Sequence, residues 1–171
     1  MVQELVDLRA SIAAGNYEDA LAIIDDLEGM SKKAILRNIA SFLVRLLIHL
    51  IKNQVEGRLT NSWVASITDS IVEIKNLNLK ENKKSYYLKV DEWDDFLEEA
   101  FARAIAPASV EIDNGKYTPM QLLELVDTNQ VINIAQKLLA LTYNYSAKDL
   151  PTIIYQQLTE LPGGEVWFSG R

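Results

Sequence analysis

The sequence predicts an all-α protein, an irregular bundle of about seven helices around a long helix at about residues 32–54, with an extended C-terminal tail. Three observations carry this expectation. Valine and isoleucine recur at three- and four-residue spacing, and the sustained alternation of a half-buried strand is missing. Capping residues and glycines fall between the apolar stretches. The chain has 171 residues, 49% of them hydrophobic, enough for one full core without a covalent staple.

Each element has a local reason. Leu5, Leu8 and Ile12 form a stripe between Val2 and about Ala14, and Gly15 closes that helix. Asn16 can cap the next helix, with Asp19 placing a negative group in its first turn. That second helix, Tyr17 to about Glu28, offers Ala20, Leu21, Ile24 and Leu27 to a core, so the pair makes a helical hairpin. Gly29 is expected to interrupt it, and Ser31 to cap the longest apolar helix, Lys32 to about Gln54. Its Ile35, Ile39, Phe42, Leu43, Leu46, Leu47, Leu50 and Ile51 span an arc wide enough for contact on more than one side.

Gly57 ends that helix, and Thr60, Asn61 or Ser62 caps a fourth through about Asn76, with Trp63, Ile67, Ile71 and Ile74 on one side. After the polar "NLKENKK", a helical pattern runs from about Tyr86 to Ile105, and Pro107 ends or kinks it. "TPMQLLELV" pairs a capping threonine with proline at the first helical position. Asp127 and Ser146 cap helices expected over 128–143 and 147–159. The tail "LPGGEVWFSGR" reads as an extended arm. "DNGKYTP" is the best place for a divide, between a bundle at 1–126 and further helices at 127–171 packed on the same core.

Composition excludes several chemistries. Without cysteine there is no disulfide, thiol nucleophile or cysteine zinc site, and a single histidine excludes any motif that needs two. The 24 acidic and 17 basic residues give a formal charge of -7, which disfavours nucleic acid and anionic membranes. "MVQELVDLRA" lacks a basic segment followed by an apolar one, so no secretory signal is read there. The longest near-apolar run, "FLVRLLIHLI", is 10 residues with Arg45 and His49 inside it, which is short for a membrane span. A cytoplasmic location is expected. Gly163-Gly164 lacks the phosphate-loop pattern, and no G-x-S-x-G elbow occurs.

Two constellations stand out. His49 lies in "RLLIHLIKNQ", with Arg45, Lys52 and Asn53 as its nearest polar neighbours on a 3.6-residue period. With Trp63 from the next helix, His49, Arg45 and Lys52 form a candidate surface site. The plainer reading is a neutral histidine hydrogen-bonded at a helix–helix boundary, disfavoured as imidazolium by the two cations. The second is "DEWDDFLEEAF", in which Asp91, Asp95, Glu98 and Glu99 would share one helical face able to meet a basic partner. A di-metal centre would draw Glu-x-x-His pairs from several helices, and position 46 is leucine. The N-terminal hairpin is acidic too, through Glu18, Asp19, Asp25, Asp26 and Glu28. No catalytic residue, cofactor or metal ligand is assigned.

"EDALAIIDDLEGMSKK", "LVRLLIHLIKNQ" and "NSWVASITDSIVEI" together resemble the DUF29 family, small helical proteins found mostly in cyanobacteria. Leu27, Glu28 and Met30 match the end of its first acidic segment. Leu46, Leu47, His49, Leu50, Ile51 and Lys52 match its second segment, and Ser62, Trp63, Ser66 and Ile67 its third. "EEAFARA" and "YTPMQLLE" resemble later segments, so the likeness covers about residues 3–124. The chain departs at Asn53, where the family carries tryptophan, and at Val64, where it carries arginine.

The resemblance implies an all-helical domain and assigns no substrate. The leading expectation is a non-enzymatic module that binds another protein or itself. One alternative is a carboxylate-based metal-binding protein or hydrolase near His49 or the 91–99 face. The other is a nucleic-acid-associated protein, which would need Lys32, Lys33, Arg37, Arg45 and Lys52 to merge with Lys80, Lys83 and Lys84.

Overall fold

Helix α1 (Val2–Ala13) and the start of helix α2 (Tyr17–Glu56) form the expected hairpin in a computed structural model that describes residues 2–170. The Asn16 amide returns to the Ser11 carbonyl at 2.8 Å, and the Asn16 side chain donates to Asp19 at 2.5 Å, which fixes the turn and opens α2. The chain divides into two compact units, one up to Asn38 and one from Ile39 onward. In the first, Ala20 is buried while Leu8, Ile23, Ile24 and Leu27 are half-buried. No residue of α1 is buried.

The expected break at Gly29 is corrected. α2 runs unbroken through Gly29 and Ser31 for 40 residues. A helical glycine costs about 1 kcal/mol relative to alanine, which weakens a helix without ending it. Gly29 does not take the positive φ that would turn the chain. The expected limit on apolar length is corrected with it: by length and composition alone, α2 is long and apolar enough to cross a membrane, with a most apolar window of mean hydropathy 1.7. Within the second unit this part of α2 serves the core. Ile39, Leu43, Leu46, Leu47, Leu50 and Ile51 are each at most 2% exposed and repeat at three- and four-residue spacing.

Helix α3 (Asn61–Asn78) is capped by Thr60, whose hydroxyl accepts from the Trp63 amide at 3.1 Å. Its Trp63, Ile67, Ile71 and Ile74 are buried as the periodicity requires. Helix α4 (Asp94–Glu111) follows, then a 3-10 turn at Ile112–Gly115. Helix α5 (Pro119–Leu125) starts with a reciprocal capping box between Thr118 and Gln121. Asp127 caps helix α6 (Thr128–Leu141) by accepting from the Gln130 amide. Helices α7 (Leu150–Leu158) and α8 (Gly164–Ser169) complete the described residues. Helix α4 packs against α5 and α6, while α7 packs against α3 and α6. The "DNGKYTP" turn lies inside this second unit.

Three boundaries differ from expectation. Residues 79–93 are a loop closed by an isolated Leu79–Tyr86 bridge, so the fifth helix begins at Asp94 and not near Tyr86. Asn78 forces this: its side chain accepts from the Leu88 amide at 2.7 Å and donates to the Leu88 carbonyl at 2.9 Å. Pro107 lies within α4, on its exposed side, and does not end it. Ser146 caps a turn through the Asp149 amide, and α7 begins at Leu150. The tail expected to be extended folds as α8.

Candidate functional site

The polar end of α2 is where the sequence concentrates its candidate chemistry. His49 is half-buried, and its Nδ1 lies 2.8 Å from the Arg45 carbonyl one turn earlier. A carbonyl only accepts, so Nδ1 carries the proton and the neutral ring presents Nε2 as an acceptor. Burial lowers the His49 pKa below its ordinary 6.5, partly opposed by that carbonyl; Lys52 and Arg45 lower it further and Glu111 raises it. The ring is therefore neutral at pH 7.

Its three predicted companions go different ways. Arg45 turns to α3, with Nη1 2.8 Å from Asp69 Oδ2 and Nη2 3.4 Å from Ser66 Oγ. Lys52 is buried, which corrects its expected place in a surface site. Its ammonium sits 4.8 Å from the centre of the Trp63 ring and 3.7 Å from Glu111 Oε1, which compensates for lost water. Trp63 is buried as well and also carries the Arg58 guanidinium at 4.5 Å. The structure brings Lys52, Trp63, Arg58 and Glu111 together as a fastening between α2, α3 and α4. It leaves Arg45 on a separate surface ion pair.

Sequence reasoning placed Asn53 among the polar neighbours of His49 and missed its role: it is 1% exposed. Its amide donates to the Arg58 carbonyl at 3.0 Å and to the Pro162 carbonyl at 2.8 Å. This fastens the C-terminal segment to the turn after α2. Gly163 and Gly164 make the approach close enough: a Cβ on Gly163 would meet Arg58 Cα at 2.7 Å, and one on Gly164 would collide with the Leu158 carbonyl. Trp167 Nε1 then donates to Asn61 Oδ1 at 2.8 Å. The glycine pair serves packing, and its spacing from "RLLIHLIKNQ" gave no signal of that.

A second missed cluster secures the 79–93 loop. Tyr143 Oη donates to the Leu88 carbonyl at 2.6 Å and accepts from Trp93 Nε1 at 2.8 Å and Asn78 Nδ2 at 3.2 Å. Burial raises the Tyr143 pKa above its ordinary 10. Lys75 is buried beside it, donating to the Thr142 carbonyl.

The acidic face is redistributed. Asp95, Glu98 and Glu99 are exposed on α4, whereas Asp91 lies in the turn before the helix and does not share their face. Glu98 and Asp94 line an open groove of about 400 Å³ with Asn129, Ile132, Asn133 and Gln136, where Gln136 Nε2 donates to Asp94 at 2.6 Å. Among the described residues, no three Asp, Glu or His side chains converge as a metal-binding group.

The remaining candidate surface is in the first unit. Val2, Leu5, Val6, Arg9, Ala10 and Ala13 line one shallow trough on α1. Val2, Leu5 and Val6 are 77%, 51% and 55% exposed.

Residues 16–132 match a family described as a domain of unknown function, DUF29. The matched segment starts at the hairpin turn, leaves α1 outside and ends within α6. Neither a curated protein nor a solved structure matches the chain.

Proposed function

The chain belongs to the DUF29 family, a family of unknown function, and from that premise we propose that it is a non-enzymatic protein-interaction module of the cytoplasm. The observation that carries this reading is α1, a twelve-residue helix with an apolar stripe and no buried residue. An amphipathic helix gains little from its own hydrogen bonds in water and derives most of its stability from covering its apolar face. The polar clusters support the same reading from the other side. The His49 ring bonds a backbone carbonyl, Lys52 and Trp63 fasten helices, and Asp95, Glu98 and Glu99 on α4 are exposed without converging as a metal-binding group. A nucleic-acid role is disfavoured because Arg45 is paired with Asp69 and Lys52 is buried under Trp63.

The test is chemical cross-linking and affinity capture of the full chain from its native cells, combined with sedimentation of the purified protein. The reading expects a protein partner recovered in fixed stoichiometry or a defined self-associated species. A chain that is recovered alone and sediments as a monomer would contradict it.

A further inference from the structure

The trough on α1 also says what kind of partner fits. Its lining residues fall at positions 2, 5, 6, 9, 10 and 13, which is one continuous side of a helix. The hairpin packs through other positions: Glu4, Leu8 and Ser11 are half-buried on α1, and Ile23, Ile24 and Leu27 are half-buried on the start of α2. The trough is thus an apolar face that its own unit does not use.

Charge narrows the choice of occupant. Residues 2–28 hold seven of the chain's 24 carboxylates but only one of its 17 basic side chains, Arg9. That stretch carries a formal charge of -6 out of the chain's -7. A second copy docking here would set one such hairpin against another and repel it. An anionic membrane is repelled as well, since helices that lie on such membranes carry lysine and arginine on their polar face. A cationic helix with its own apolar stripe satisfies both the apolar side chains and the carboxylates.

Building on the module reading above, we infer that the α1 face docks a basic amphipathic helix of another protein. The apolar stripe of that helix covers Val2, Leu5 and Val6, and its lysines and arginines face the carboxylates of the hairpin.

The experiment uses the full chain and two labelled peptides of about 18 residues, long enough for five helical turns. Both carry leucine at helical spacing; one has lysine at all remaining positions, and its counterpart has glutamate there. By fluorescence anisotropy the lysine peptide should bind at least about tenfold more tightly than the glutamate peptide. Its affinity should fall several-fold as salt rises from about 50 to about 300 mM, because the attraction is screened. Leu5→Asp with Val6→Asp, at exposed positions, should weaken binding about tenfold with the circular dichroism spectrum unchanged. Asp25→Asn with Asp26→Asn should weaken it by a smaller factor while leaving the apolar face intact.

Equal binding of both peptides, or of neither, would overturn the inference. So would a concentration-dependent dimer abolished by Leu5→Asp with Val6→Asp, or recruitment of the chain to phosphatidylserine vesicles. Capture of a cellular partner that survives Leu5→Asp with Val6→Asp overturns this inference and leaves the module reading standing. A monomeric chain that binds neither peptide and captures nothing overturns both.

Discussion

At the residue scale, His49 is the cleanest probe in the molecule because the chain has no other histidine. Burial holds its pKa below 6.5 in the folded state, so the unfolded chain binds the proton more readily. Stability from the neutral ring is complete above pH 6.5 and is lost as pH falls from there through the folded pKa. The His49 ring resonance should therefore titrate below pH 6.5, and His49→Gln should flatten the pH dependence of unfolding just below that value. A midpoint above 6.5 would place a carboxylate partner on the ring. Asn53 gives a second prediction: Asn53→Ala leaves the Arg58 and Pro162 carbonyls without their donor and should cost about 2 kcal/mol in denaturant unfolding. The sequence disclosed the neutral His49, because the apolar run that buries it and the Arg45 carbonyl it bonds lie on its own helix, with Lys52 and Arg45 adding smaller effects. It did not disclose Asn53, whose second partner lies 109 residues away.

At the scale of elements, two glycines should respond in opposite ways. Gly29 lies inside α2, and a Cβ added there would meet nothing within 4 Å. Gly29→Ala should strengthen the helix by about 1 kcal/mol, slowing amide exchange around residues 25–35 about fivefold. If α2 were broken at Gly29, exchange there would not slow. Gly164→Ala forces a methyl against the Leu158 and Thr159 carbonyls and should destabilise the second unit by about 2 kcal/mol.

Most helices were legible because their signals are local: Thr60, Thr118 and Asp127 each cap the helix that follows. The start of α4 was not. Residues 86–93 carry helical periodicity, but Asn78 and Tyr143 pair with the Leu88 backbone from distant elements and hold the segment as a loop. Tertiary hydrogen bonds override local preference there. Pro107 misled in the other direction, since an exposed proline late in a helix costs stability without ending it.

At the scale of the whole molecule, the second unit contains nearly all of the buried apolar side chains and the polar fastenings that secure them. The first unit has an apolar stripe and one buried side chain, Ala20, and its residues 2–28 carry a formal charge of -6. A unit with so little buried area opens easily, so amides of 2–28 should exchange far faster than those of α3 and α6. The acidic hairpin was legible in the sequence as a run of carboxylates. The uncovered side of α1 was not, because an apolar stripe by itself reads as core.

The most direct test is a hydrogen-exchange footprint of the full chain with and without the lysine-rich amphipathic peptide. Docking on α1 predicts slowed exchange within residues 2–28 and no change along the α4–α6 groove. Protection confined to the groove around Asp94, Glu98 and Gln136, with residues 2–28 unaltered, would contradict it.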